Sequence, residues 1–239
     1  MSVIFDSVYK EFFIKTLLML KFIIIVLSIP KSVIFCLRFL PFKQAVRFPI
    51  FVKYGTKVMV HGGKINISVP QERIKIAMIR IGFHEVPTKD VCRTILNING
   101  ELVFLGSAHI GNGSILNVEC DARLILGDNF AISACSTINC YKNISFGKDI
   151  QFSWDCLVMD SDTHEIYDEC QNLINEPKEI VFGDHVWIGC GALILKGSCI
   201  PSECVIAAHS VLTAKQYETF SIIAGNPAKS VKKIGGWKL

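Results

Sequence analysis

The 239-residue sequence predicts an all-β chain wound as a three-sided prism of short parallel strands, preceded by an apolar helical segment. Three observations carry this. Large apolar residues recur every six positions at Phe182, Ile188, Ile194, Ile200, Ile206 and Leu212. Four positions after the first five stand the small or β-branched Val186, Ala192, Ser198, Cys204 and Ser210. An amphipathic helix cannot produce this pattern, because a six-residue step advances 600° and leaves the apolar stripe rotating around the axis. The same phase appears upstream at Leu126, Ile132 and Ile138, shifts by a two-residue insertion, and resumes at Phe146, Phe152 and Val158. Finally, Phe12 to Leu40 is almost wholly Phe, Ile, Leu, Val and Met.

A short strand and a tight turn every six residues coil the chain so that each inward residue stacks on its equivalent about 4.8 Å away. Eighteen residues then complete one turn of the prism. Periodicity does not give its hand, and parallel crossovers are nearly always right-handed.

The sequence divides into three parts: an apolar helical segment over 1–45, the prism over 46–226 with a protruding loop near 160–180, and a basic tail over 227–239. The helix is expected to start near Asp6 and to end at Pro30, whose ring removes a helical donor. The longest charge-free apolar run, Phe22 to Pro30, is nine residues, short of the roughly 20 that span a bilayer. No small-x-small cleavage signal follows it. On a helical wheel Lys10, Lys21, Lys31 and Arg38 fall within about 100° of one another. Two readings stay open: a helix lying in a membrane surface, or an apolar cap on the end of the prism.

A net charge of +4 with no Arg-rich or aromatic-basic tract gives no case for a nucleic-acid partner. The ten Cys include no CxxC and read as reduced structural thiols of a cytoplasmic protein. No Cys/His spacing calls for a metal.

Residues 182–229 carry GDHVWIG, the stretch V-I-A-A-x-S-V-L-T and A-G-N-P-A-K, and residues 153–169 read SWDCLVMDSDTHEIYDE. Together they resemble the hexapeptide-repeat acyltransferases, most of all the maltose/galactoside O-acetyltransferase branch and the enzymes that acetylate bacterial surface polysaccharides. The likeness covers roughly residues 100–235. It implies a left-handed parallel β-helix, a homotrimer with active sites between subunits, and acetyl-CoA as donor.

Acyl transfer to a hydroxyl needs a base, an oxyanion donor and a slot for the CoA arm. Histidine suits the first role because its pKa lies near physiological pH. His61, His84 and His109 lie outside the motifs, and His185 and His209 fall at turn positions facing solvent. His164 stands where the repeat breaks, at the root of the protruding loop, and matches the histidine that the resemblance makes catalytic. Asp160 and Asp162 bracket it, as orienters of its ring, contacts for a sugar, or turn residues. Trp154 and Asp155 are expected on the same edge as an acceptor pocket, with core packing the alternative for Trp154. The resemblance further implies that Trp187 walls the thioester end and that Cys190 and Ala208 line the pantetheine path. It matches Thr213 to a CoA contact, although the Lys that usually follows is Ala214 here, with Lys215 one place later. Lys229 and Lys232 fall where CoA phosphates are held.

The expected activity is acetyl transfer to a sugar or glycan hydroxyl in surface polysaccharide synthesis, in the cytoplasm at the inner membrane face. An amino sugar, serine or an antibiotic is the alternative acceptor. A non-catalytic trimerisation module is the alternative of another class.

Overall fold

A computed structural model describes residues 2–84, 86 and 92–238. Its core is a three-sided parallel β-helix, the class expected, and left-handed is the sense given to it by the resemblance. Among the described residues the first face has nine strands, the second seven and the third six. The first face runs from Ile50–Val52 to Ala228–Lys233, the second from Lys57–Val60 to Val211–Leu212, and the third from Lys64–Ile67 to Cys199–Ile200. The corner between the first and second faces is called here the first corner, and that between the second and third faces the second corner.

The six-residue period becomes the core. Phe182, Ile188, Ile194, Ile200, Ile206 and Leu212 are all buried, as are the small residues four places on. Ile188 pairs with Ile206 and Ile194 with Leu212, one eighteen-residue turn apart. Ile132 pairs with Phe152, twenty apart, which absorbs the two-residue insertion. Phe152 pairs with Ile188 across twice the normal step, because the loop over 160–179 leaves the prism between them. Phe146 stacks on Phe182 with ring centroids 4.6 Å apart, so the aromatic rungs continue past the loop. Each such buried side chain contributes about 1.5–3 kcal/mol.

Nearly three turns of prism precede the repeat visible in the sequence, which begins at Leu126 on the third face of the third turn. Ile50 pairs with Ile79 and Val58 with Leu96, and irregular connections between these strands hide the period.

The apolar segment differs from expectation at its end. Helix α1 spans Ser2–Phe39 and continues through Pro30. The carbonyl that Pro30 leaves without an amide partner belongs to Val26, and both residues are on the exposed side, where water can serve it. The buried side of the same stretch is held by the prism, which outweighs proline's preference. Ser32 Oγ accepts the amide of Val52 at 2.8 Å, Ser28 Oγ accepts that of Tyr54 at 2.9 Å, and Cys36 Sγ donates to the Ile50 carbonyl. A short helix, α2, follows at Phe42–Ala45. Thus Ser28–Phe39 caps the open end of the first face. Lys31 Nζ donates to the carbonyls of Tyr54 and Thr56, and Arg38 lies over the Phe39 ring at 5.5 Å. Neither belongs to a free basic stripe, and Lys10 lies outside the described side chains.

The other end is closed by a hairpin in place of a plain tail. Ser221–Gly225 pairs in parallel with Val205–Ile206, and Ala228–Lys233 returns antiparallel along it. That last strand presents Lys229, Lys232 and Lys233 outward, charges that discourage edge-to-edge pairing.

Candidate active site

The loop over 160–179 leaves from the second corner and is pinned at its root. Asp160 is fully buried, and its carboxylate accepts the amides of Tyr141, Lys142 and Asn143 at 2.7, 2.9 and 2.9 Å. These amides form the second corner of the preceding turn, so Asp160 stitches two turns together. On the return, the Lys178 amide donates to the Asp160 carbonyl at 3.0 Å.

Asp162 comes next and is exposed. Lys196 Nζ donates to its carboxylate at 2.5 Å and Asn175 Nδ2 at 2.9 Å. These hydrogen bonds, that to Lys196 first, hold its pKa below the usual carboxylate range. Asn175 also donates to the His164 carbonyl and accepts the Ile166 amide, both at 2.7 Å. His164 therefore sits on backbone fixed from both sides, with its side chain exposed beyond the corner. Neither aspartate is arranged to orient its imidazole within the chain: one carboxylate is spent on three amides, the other on Lys196 and Asn175. Asn175 and Lys196 gave no signal in the sequence, because nothing local marks which loop amide or which lysine of the next turn closes the root.

Trp154 and Asp155 are exposed but stand at the first corner, not on the edge of His164. The Trp154 carbonyl accepts the Gly191 amide at 3.0 Å. Face two, roughly 10 Å wide for a three-residue strand, separates them from the loop. Cys190 and Ala208 lie at the same first corner in the next two turns, where the His209 amide donates to the Cys190 carbonyl at 2.9 Å. A side chain at Gly189 would meet the Ala208 amide at 2.7 Å, so glycine permits the turns to stack this closely. The His209 ring packs over Gly191, whose φ of +66° also favours glycine.

Trp187 projects outward from the first face and donates to Ser153 Oγ at 3.3 Å. It has a neighbour the sequence did not reveal. Trp237, near the C-terminus, stacks on His185 at 4.3 Å, donates to the His185 carbonyl at 3.0 Å, and lies 6.2 Å from the Trp187 ring. His185 Nδ1 is 2.6 Å from Glu203. The expected solvent-facing histidine is thus half-buried in an aromatic cluster. Thr213 and Lys215 are at the second corner of the last turn, and Lys229 and Lys232 are exposed on the closing strand. The structure accordingly groups Trp187, Cys190 and Ala208 on one side of the prism and His164 on another.

Of the ten cysteines, all free thiols, Cys36, Cys140, Cys156 and Cys204 are buried, and burial raises the pKa of each, to about 12 for Cys140 and about 11 for Cys156. No metal-ligating cluster occurs among the described residues.

No family model matches the chain. A probable acetyltransferase of Mycobacterium tuberculosis is 30% identical over 129 residues, 52% of this chain and 41% of that protein. The polysialic acid O-acetyltransferase of Escherichia coli is 32% identical over 118 residues, 48% of this chain and 38% of that protein. The chain resembles the hexapeptide-repeat acetyltransferases. It spans about two fifths of the length of these two relatives. Among solved structures, a polysialic-acid-specific acetyltransferase aligns with a TM-score of 0.47 and 21% identity, covering 77% of this chain and 83% of that one.

Proposed function

We propose that the chain is an acetyl-CoA-dependent O-acetyltransferase acting on a sugar or glycan hydroxyl in surface polysaccharide synthesis. The observation that carries this reading is the clamp around His164: an exposed imidazole on fixed backbone, outside a prism whose sequence relatives are acetyltransferases. His164 takes the acceptor hydroxyl proton as that oxygen attacks the thioester carbonyl. The new C–O bond forms, the C–S bond breaks, and the imidazolium returns the proton to the departing CoA sulfur. The Cys190 amide is the donor for the developing oxyanion. Trp187 walls the thioester end, and the methyl-sized Ala208 leaves room for the pantetheine arm. Thr213, Lys215, Lys229 and Lys232 serve the nucleotide end.

His164 and the Trp187 side stand across face two from each other, so one chain does not supply both to one acetyl group. A homotrimer whose sites lie between subunits brings them together. Trp154, Asp155 and Asp162 remain acceptor-side residues in this arrangement. The protein works in the cytoplasm, with α1 in peripheral contact with the inner membrane face. By length and composition alone, Leu18–Phe39 is apolar enough to cross a membrane.

The test is incubation of the purified chain with acetyl-CoA and a panel of hydroxyl and amine sugars, following free thiol. Thiol release dependent on a hydroxyl acceptor supports the reading. Transfer only to amines makes it an N-acetyltransferase, and failure to bind any acyl-CoA leaves a non-catalytic β-helix.

A further inference from the structure

Helix α1 runs antiparallel to residues 50–56: Cys36 meets Ile50, Ser32 meets Val52, Ser28 meets Tyr54, and Lys31 reaches Tyr54 and Thr56. Followed toward its N-terminus, the helix therefore leaves the prism at the first corner of the first turn. Every large apolar residue from Leu18 to Leu27 except the half-buried Ile24 is exposed. Eight of these ten positions are exposed and apolar, the others being Lys21 and Ile24, and together they reach most of the circumference of a helix with 3.6 residues per turn. A helix that exposes this much apolar surface is not finished by water.

The corner where it emerges has its own chemistry. A cavity of about 320 Å³ is lined there by Lys53, Thr56, Arg93, Thr94 and Asn112. Lys53 Nζ lies 3.1 Å from both Asn112 Oδ1 and His84 Nε2. Arg93 is close enough to Lys31 to help lower its pKa, after burial as the main cause. Thr56 Oγ1 is buried without a hydrogen-bond partner among the described residues. Beside the cavity Tyr54 is 60% exposed, an aromatic of the kind that settles at a membrane–water boundary.

We infer that this corner is a headgroup site for an anionic phospholipid, its phosphate held by Lys53 and Arg93 while the emerging part of α1 enters the acyl region. Two independent features converge there. The apolar surface of the helix supplies insertion, and the cavity at its root adds a defined site for the phosphate to the general attraction of Lys15 and Lys21. The inference rests on the membrane reading of α1 and adds a defined site to it.

The full-length chain is mixed with vesicles of phosphatidylcholine alone and of phosphatidylcholine with phosphatidylglycerol, and bound protein is measured by sedimentation. Wild type is expected to bind both and to prefer the anionic mixture. Lys53→Gln with Arg93→Gln should weaken binding to the mixture by roughly 25-fold, about fivefold per cation. It should leave binding to the neutral vesicles, and acetyl transfer to a soluble acceptor, unchanged. Lys53→Arg with Arg93→Lys should restore the preference. A glutamine pair that keeps the wild-type preference, or loses binding equally on neutral vesicles, overturns the headgroup site and leaves the membrane reading standing. Wild type that ignores both vesicles overturns the membrane reading as well. If inorganic phosphate then raises the melting temperature of wild type but not of the glutamine pair, the cavity takes free phosphate and the lipid is the wrong occupant.

Discussion

Asn175 donates its side-chain amide to the carbonyl of His164 at 2.7 Å from eleven residues further along the loop. The same side chain accepts the Ile166 amide and donates to the Asp162 carboxylate, so the chain on both flanks of the histidine is tied to one residue. A loop this exposed has few apolar contacts to fix it, and the polar clamp replaces them.

Replacing Asn175 by Ala should therefore misplace the imidazole more than it destabilises the prism. A displacement near 1 Å costs about 10²-fold in rate. We expect kcat to fall by that order, the KM for acetyl-CoA to hold, and the melting temperature to move little. An unchanged kcat would show that the loop is positioned by something else.

Replacing His164 by Ala removes the base itself. Turnover should fall by about 10²–10⁴, with acetyl-CoA affinity retained in a direct binding measurement. Activity near wild type would take His164 out of the mechanism.

The sequence shows the prism from Leu126 onward because most sides have six residues there, and the period resumes after the two-residue insertion and again after the loop over 160–179. It hides the earlier turns because Ile50 and its partner Ile79 are 29 residues apart, as are Ile81 and Ile110, and Val58 and Leu96 are 38 apart. Pairing, not period, defines those rungs. His164 is legible from its motif and from the break in the repeat. Asp160 reads equally well as an orienter of the imidazole, a sugar contact or a turn residue, and its three amide partners lie seventeen to nineteen residues earlier, where no local pattern points to them. Pro30 misleads because its helix-breaking effect is local, whereas Ser32 and Ser28 are held by Val52 and Tyr54, twenty and twenty-six positions away. Trp237 is invisible for the same reason: its partner His185 is 52 residues earlier.

Asp160 should matter for stability. Its loss leaves three backbone amides without their acceptor, and a buried unsatisfied group costs about 1–3 kcal/mol. Asp160→Ala should lower the unfolding free energy by at least about 3 kcal/mol in urea titration, with Asp160→Asn, which keeps one acceptor oxygen, falling between. An Ala variant as stable as wild type would mean that the amides find water.

His109 gives a pH dependence. It is 8% exposed on the first face, and burial first, then Arg80, pushes its pKa down to about 4. Between that value and the ordinary 6.5, the unfolded chain binds a proton that the folded chain refuses, so stability rises with pH in this window. It is complete above pH 6.5 and lost progressively toward pH 4, by up to about 3 kcal/mol. Urea midpoints at pH 7.5 and 5 should differ for wild type by more than for His109→Gln. Equal differences would show that other groups carry the acid sensitivity.

The closing strand tests the nucleotide end of the proposed site. Lys229 and Lys232 are both exposed, and nearby Lys233 lies 3.5 Å from Glu218. CoA carries several phosphate charges, and attraction between exposed charges is screened over about 10 Å at 0.1 M salt but reaches about 30 Å at 0.01 M. Lys229→Ala with Lys232→Ala should thus raise the KM for acetyl-CoA severalfold at low salt, with the difference from wild type shrinking as salt is added and kcat unchanged. Lys233→Ala, which removes a charge already offset by Glu218, should change it less. A shift confined to the acceptor KM would assign the strand to the other substrate. Equal effects from all three lysines would reduce its role to the field of a basic edge.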